Sequence, residues 1–240
     1  QRSSDRGSSD AAFNLIRAAQ FIAKSHFAGV GICMHETPDD SSCFILPACT
    51  TRKFHSSRRD AFKPVHGQAI ARIQKDGSVE MIQPHASHDA SKKLTLRLFK
   101  EHVRVGILKV HPHMDISELT TYQKFNGLIL EGTGMGHFPI NAVDKYTESH
   151  KRFYKTLATL AQQIPVFMTS QTIYGRVDMN VYSTGRKLLE AGVLGNYNDM
   201  LTETAFIKMA WALSNYPKKD VPKVMMENLR GELSARTIYQ

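Results

Sequence analysis

No stretch of this sequence approaches the roughly 20 consecutive apolar residues that a membrane-spanning helix needs, so no membrane partner is expected. Cysteine is scarce. Cys33, Cys43 and Cys49 show no CxxC spacing, and their odd number argues against a disulfide framework and for a reducing, cytoplasmic setting. Cys43 and Cys49 lie among apolar neighbours, where a small buried thiol is expected. The opening, Gln1-Arg2-Ser3-Ser4-Asp5-Arg6, has neither an initiator Met nor an apolar core, so no signal peptide is expected. Internal repeats and low-complexity tracts are absent. So are the HExxH motif of zinc hydrolases, the lysine of a Walker A loop and the GxSxG nucleophile elbow. His111 with His113, and His85 with His88, have no carboxylates framing them, and no metal site is expected.

What is present suits a soluble α/β protein. The 240 residues, 42% hydrophobic and 22% charged, suffice for one large domain or two smaller ones. Thirty-one Lys and Arg against 22 Asp and Glu give a net charge of +9, which favours acidic partners, nucleic acid among them. The basic residues are dense only at Arg52, Lys53, Arg58 and Arg59, and most of the charge reads as solvated surface.

Apolar residues Ala12, Leu15, Ile16, Ala19 and Ile22 recur at helical spacing over residues 10–24, with Ser9 or Asp10 able to cap the first turn. Short strands are expected at 29–34, 43–46 and 78–82, with a polar, basic loop over 50–63 and a non-periodic polar stretch over 83–93. Beyond it, strands at 103–110, 127–130 and 165–170 alternate with helices at 116–125 and 142–163. That order implies βαβ crossovers and a parallel sheet. Helices at 184–191, 200–214 and 221–230 complete the chain. In such sheets ligands sit beyond the carboxyl ends of the strands, which points to the loops after Leu130 and Met168.

Two segments could carry chemistry. Gly132-Thr133-Gly134-Met135-Gly136 is GxGxG rather than the dinucleotide fingerprint. Its glycines would either let backbone amides approach a ligand or simply form a tight βα turn. In Cys49-Thr50-Thr51-Arg52-Lys53-Phe54-His55-Ser56-Ser57-Arg58-Arg59-Asp60-Ala61-Phe62-Lys63, Lys53 has a cationic neighbour and nearby hydroxyls. Such a lysine can shuttle protons, bind phosphate or rest in solvent.

This segment resembles the lysine loop of the L-asparaginase and glutaminase family, K-x-[HN]-[ST]-[ST] running on to A-F-[KR]. Leu130-Glu131-Gly132-Thr133-Gly134-Met135-Gly136-His137 resembles an LEGTGxGH loop of one branch. The run Met168-Thr169-Ser170-Gln171-Thr172-Ile173-Tyr174-Gly175-Arg176-Val177-Asp178-Met179-Asn180-Val181-Tyr182-Ser183-Thr184-Gly185-Arg186 resembles its MTSQxxYGRVxMNVYxTGR segment. That branch is the D-subunit of the archaeal glutamyl-tRNA(Gln) amidotransferase. The opening at 1–12 is similar too, except that Gly7 stands where proline is expected.

The resemblance implies an asparaginase-like α/β fold with two parallel-sheet domains. Residues 1–93 would form the back half of the amino-terminal domain, the first domain thus being incomplete. Residues 94–102 would form a linker and 103–240 the carboxyl-terminal domain. It implies a glutaminase that releases ammonia from glutamine, or from asparagine, so that Glu-tRNA(Gln) becomes Gln-tRNA(Gln). It also implies a homodimer and an amidotransferase partner, the E-subunit, which would contact the tRNA and hold ATP and Mg; no cofactor is expected in this chain. In the family a threonine of a TGGT turn is the nucleophile, assisted by the threonine and aspartate of a TDT motif and by a lysine. Lys53 matches that lysine. Ser56, Gly132, Thr133, Gly134, His137, Asn180 and Tyr182 would bind substrate or shape the site. Neither TGGT nor TDT occurs here; both belong ahead of the position matching Gln1, so the chain is expected to be an inactive piece. The alternatives are a free L-asparaginase and a non-catalytic dimerisation module of the same fold.

Overall fold

A computed structural model describes residues 2–236. The chain divides into two compact units, Gln1–Thr95 and Leu96–Gln240.

In the first unit helix α1 (Ala11–Lys24) packs on a sheet of β1 (Gly31–His35), β2 (Ser42–Pro47), β5 (Ala71–Gln74) and β6 (Val79–Met81), in that order. A separate hairpin pairs β3 (Thr51–Lys53) with β4 (Phe62–Pro64). Every pairing in the four-stranded sheet is antiparallel, which corrects the parallel sheet expected for this domain. The cause is local. β1–β2 and β5–β6 are joined by short turns, whereas a parallel pair needs a crossover of a dozen residues or more. The expected loop at 50–63 is likewise a hairpin, and β5, unforeseen, supplies the wholly buried Ala71 and Ile73.

Helix α1 inverts the expected polarity. Its apolar stripe of Ala12, Leu15, Ile16, Ala19 and Ile22 is largely turned outward, while Asn14, Arg17 and Phe21 turn inward. A buried polar face costs little only when its groups are partnered, and here most are, with Arg17 Nε the exception. Asn14 bonds Asp10, and Arg17 donates to Gln20 Oε1 and the Lys75 carbonyl, both at 2.6 Å, over the Phe13 ring. Ser9 Oγ takes the Ala11 amide, and Asp10 uses its carboxylate on Arg2 N and Asn14 instead of the helix end.

The second unit has the expected parallel sheet, in the order β7 (Val105–Lys109), β8 (Gly127–Gly132), β9 (Val166–Ser170). Central β8 is buried along its whole length. Side chains alternate across a strand, so Leu128, Leu130, Val166 and Met168 enter a core with Leu119 of α2 (Ile116–Thr120) and Phe153, Leu157 and Leu160 of α3 (His150–Gln163). Ile129 and Phe167 enter the opposite core with Ala205, Met209 and Ala212 of α5 (Thr202–Asn215) and Val221, Val224 and Met225 of α6 (Val221–Met226). Helix α4 (Ser183–Glu190) buries Leu188 in the first of these cores.

Three helices are shorter than their sequence pattern, α2 giving way after Thr120 to a tighter 3-10 turn over Thr121–Lys124. Asp144 Oδ1 accepts the amides of Tyr146 and Thr147, both at 3.0 Å, holding a turn where helix was expected from residue 142. Helix α6 stops at Met226, and the Lys208 ammonium takes the carbonyls of Met225 and Glu227. No helix among the described residues is long and apolar enough to cross a membrane.

Candidate functional site

Lys53 closes β3 opposite Phe62 of β4, exposed, with its ammonium 5.9 Å from the centre of the Phe62 ring. A hairpin loop follows, held at its neck by the Phe54 amide donating to the Ala61 carbonyl at 2.7 Å. Inside it, His55 Nδ1 accepts the amides of Ser57 and Arg58, both at 3.1 Å. Arg58 forks onto Asp60 with two 2.7 Å bonds, and this guanidinium holds the Asp60 carboxyl below the usual carboxylate range. Ser56 is at the exposed tip. Arg58 and Arg59, dense charge by sequence, are both engaged within the protein: Arg59 donates to the Ser8 and Pro38 carbonyls and to Asp40.

In the second unit the loops after β8 and β9 meet, as expected for the carboxyl edge of a parallel sheet. Thr133 and His137 pair through their backbones, the Gln171 amide donates to the Gly132 carbonyl at 2.8 Å, and the Asp178 amide to that of Met135 at 2.9 Å. His137 Nδ1 lies 3.1 Å from Thr184 Oγ1, and its ring meets Tyr182 edge-on at 5.2 Å. Asn180 donates from its amide to the Tyr197 hydroxyl, and its carbonyl accepts Arg186 Nη1 at 2.8 Å. Thr133, Gly134, Asn180 and Tyr182 are exposed, His137 half-buried and Gly132 buried. The structure therefore gathers these six on one edge of the second unit, with Lys53 and Ser56 together in the first.

The glycine loop has a packing reason for its composition. At Gly136, with φ +98°, an added Cβ would lie 2.9 Å from both Met168 Cγ and Val177 Cγ1. Gly136→Ala is expected to cost about 1–2 kcal/mol or more, read as a lower urea midpoint with an unchanged slope; an unchanged midpoint would mean the loop relaxes freely.

Sequence reasoning missed Tyr197. It is the one non-glycine residue among those described with positive φ, at 66°, and its hydroxyl holds Asn180. The run Gly195-Asn196-Tyr197-Asn198 is a turn signal that could have flagged it, since Asn and Gly tolerate that backbone region. It also missed His35, Asp40 and the seat of Arg59, which depend on contacts far apart in sequence. No group of three or more His, Cys, Asp or Glu among the described residues could hold a metal ion.

A lysine hairpin in one unit and a glycine loop at the carboxyl edge of a parallel sheet in the other define a two-unit α/β chain with a candidate site in each. Its residues 1–87 match the family model "Asparaginase, N-terminal", and residues 104–226 match "Glutaminase/Asparaginase C-terminal domain". The chain belongs to the asparaginase/glutaminase family. It is 39% identical, over 99% of its length, to the glutamyl-tRNA(Gln) amidotransferase D-subunit of Methanothermobacter thermautotrophicus, and 37% identical over all of it to that of Pyrococcus abyssi; it covers 52% of each. The chain thus spans about half the length of these curated relatives. Among solved structures it resembles the thermostable L-asparaginase of Thermococcus kodakarensis, with a TM-score of 0.80 and 26% identity over 96% of this chain and 65% of that one. L-asparaginase I of Vibrio cholerae, at 21% identity and a TM-score of 0.76, shares the fold. The asparaginase-like α/β fold expected from the sequence is the one found.

Proposed function

We propose that this chain is part of a glutaminase-type amidohydrolase subunit that supplies ammonia for conversion of Glu-tRNA(Gln) to Gln-tRNA(Gln), with Lys53 as its proton-relay lysine. The observation that carries this reading is the identity of 37–39% to the two archaeal amidotransferase relatives along essentially the whole chain. The placement of Lys53 supports it. An exposed amine at the end of a hairpin can approach a threonine–aspartate pair brought by other residues, accept a proton as the nucleophile attacks the amide, and return it as ammonia leaves. Thr133, His137, Asn180 and Tyr182 would shape a site at the edge of the second unit. The protein would act as a homodimer with an amidotransferase partner that binds the tRNA.

This chain has no TGGT or TDT turn, so it should release no ammonia from glutamine alone. Fusing ahead of Gln1 a segment that carries both turns is expected to create turnover, followed by coupled ammonia detection. Turnover by the 240 residues alone, or none by a folded fusion, would overturn the reading. The second reading, a free L-asparaginase, rests on the Thermococcus kodakarensis likeness; a fusion that prefers asparagine and is indifferent to tRNA would favour it.

A further inference from the structure

The opening at 1–12 and the segment at 49–63, far apart in sequence, are tied together in the first unit. Arg2 Nε donates to the Ser57 carbonyl at 3.0 Å, and Arg59 donates from Nε and Nη2 to the Ser8 carbonyl at 3.1 and 3.0 Å. From Nη1 the same guanidinium reaches Asp40 Oδ1 at 3.0 Å, in the turn between β1 and β2. Behind Asp40 stands His35, whose side chain is wholly buried. Its Nε2 is 3.0 Å from Asp40 Oδ1 and its Nδ1 is 2.7 Å from Asn14 Oδ1. Asn14 in turn donates to Asp10 Oδ2 at 3.2 Å, two residues on from Ser8. With the backbone from Ser8 to Asp10 closing it, these contacts form a ring, Ser8–Asp10–Asn14–His35–Asp40–Arg59, joining three segments.

Such a tie aims the loop of the lysine hairpin, whose strand residue Phe62 already packs against Met34, Leu46 and Ala69. The hairpin's strands are three residues each and pair only with one another, and a two-stranded hairpin alone is marginal in water. Its internal bonds, Phe54 to Ala61 and Arg58 to Asp60, keep its shape without fixing its direction. An arginine suits the fixing, because its rigid planar fork can serve several acceptors at set angles. The Arg59 side chain is only 16% exposed, so the fork is held where it is.

We propose that Arg59 is a positioning residue for Lys53, fastening the lysine hairpin to the entry of α1 through Ser8 and to the β1–β2 turn through Asp40 and the buried His35. The proposal rests on the reading of Lys53 as a proton relay. In the 240-residue chain, Arg59→Ala and Asp40→Asn should speed amide exchange over residues 54–61 by about tenfold or more, as expected when bonds to a charged group are lost. Exchange in β2 and β5 should stay unchanged, and Arg59→Lys should lie between Arg59→Ala and the parent. In the active fusion, Arg59→Ala should lower kcat by about 10- to 100-fold with little change in KM, Arg59→Lys recovering part of it. Unaltered exchange over 54–61, or faster exchange with kcat intact, overturns the positioning role. A folded fusion that is inactive with Arg59 in place overturns the amidase reading instead, and the exchange data still decide whether Arg59 seats the hairpin.

Discussion

Lys53→Met in the active fusion is expected to lower kcat for glutamine hydrolysis by about 10²–10⁴-fold, the range over which a positioned acid or base contributes. The loss should fall on kcat more than on KM, because a proton relay is needed in the transition state and not for binding. Lys53 is exposed, and its ammonium faces the Phe62 ring, so the unfolding midpoint should barely move. Arg52→Met, next in sequence and also cationic, is the control for simple loss of charge. Comparable losses in both variants would show that the loop acts through its field and not through one amine, and would remove Lys53 from the mechanism.

The largest effect on stability is expected at Glu232. Its carboxylate lies 2.7 Å from the Lys208 ammonium, and the two side chains are 4% and 6% exposed. It also accepts the amides of Leu229 at 3.1 Å and Arg230 at 2.6 Å, so one residue ties α5 to the segment after α6. Glu232→Ala strands a buried ammonium and should cost about 3–5 kcal/mol, read from urea unfolding of the 240-residue chain. Replacing both partners, Lys208→Met with Glu232→Leu, should cost markedly less, since no unpaired charge remains. A cost for Glu232→Ala below that of the double variant would refute the account.

The same pair gives a pH dependence of known sign. Burial pushes the Glu232 carboxyl up, but the Lys208 ammonium and the backbone amides outweigh it and hold the group below its ordinary value. A carboxyl depressed in the folded state stabilises the protein fully above its unfolded pKa of about 4.3 and loses that contribution as pH falls through the lower folded value. Glu232→Gln should therefore flatten the acid limb of the stability profile while lowering the plateau at neutral pH.

Much of the second unit was legible in the sequence because its signals are local. The apolar run at 127–130 has the composition of a strand buried on both faces, and its alternation with helical patterns called for parallel pairing. The lysine segment and the long run from Met168 to Arg186 likewise pointed to family and fold before any coordinates. Where reading failed, a non-local contact had won in most cases. Lys208 from a neighbouring helix met the last carbonyls of α6, and in the first unit β2 paired with β5 across the whole lysine hairpin. Asp144 is the local exception, redirecting a helix start through its own turn.

By itself, then, the sequence determined the α/β class, the family, and the presence of Lys53 without the threonine and aspartate motifs that it would serve. Those are properties of residue type and spacing. Only the tertiary structure decided that α1 buries Asn14 and Arg17 while its apolar stripe faces outward, and that Ser8, His35, Asp40 and Arg59 fasten the lysine hairpin. The physical reason is that polar burial is settled by partners. An arginine fork or a histidine ring has no preferred place until the acceptors that satisfy it, drawn from distant parts of the chain, have been brought within about 3 Å.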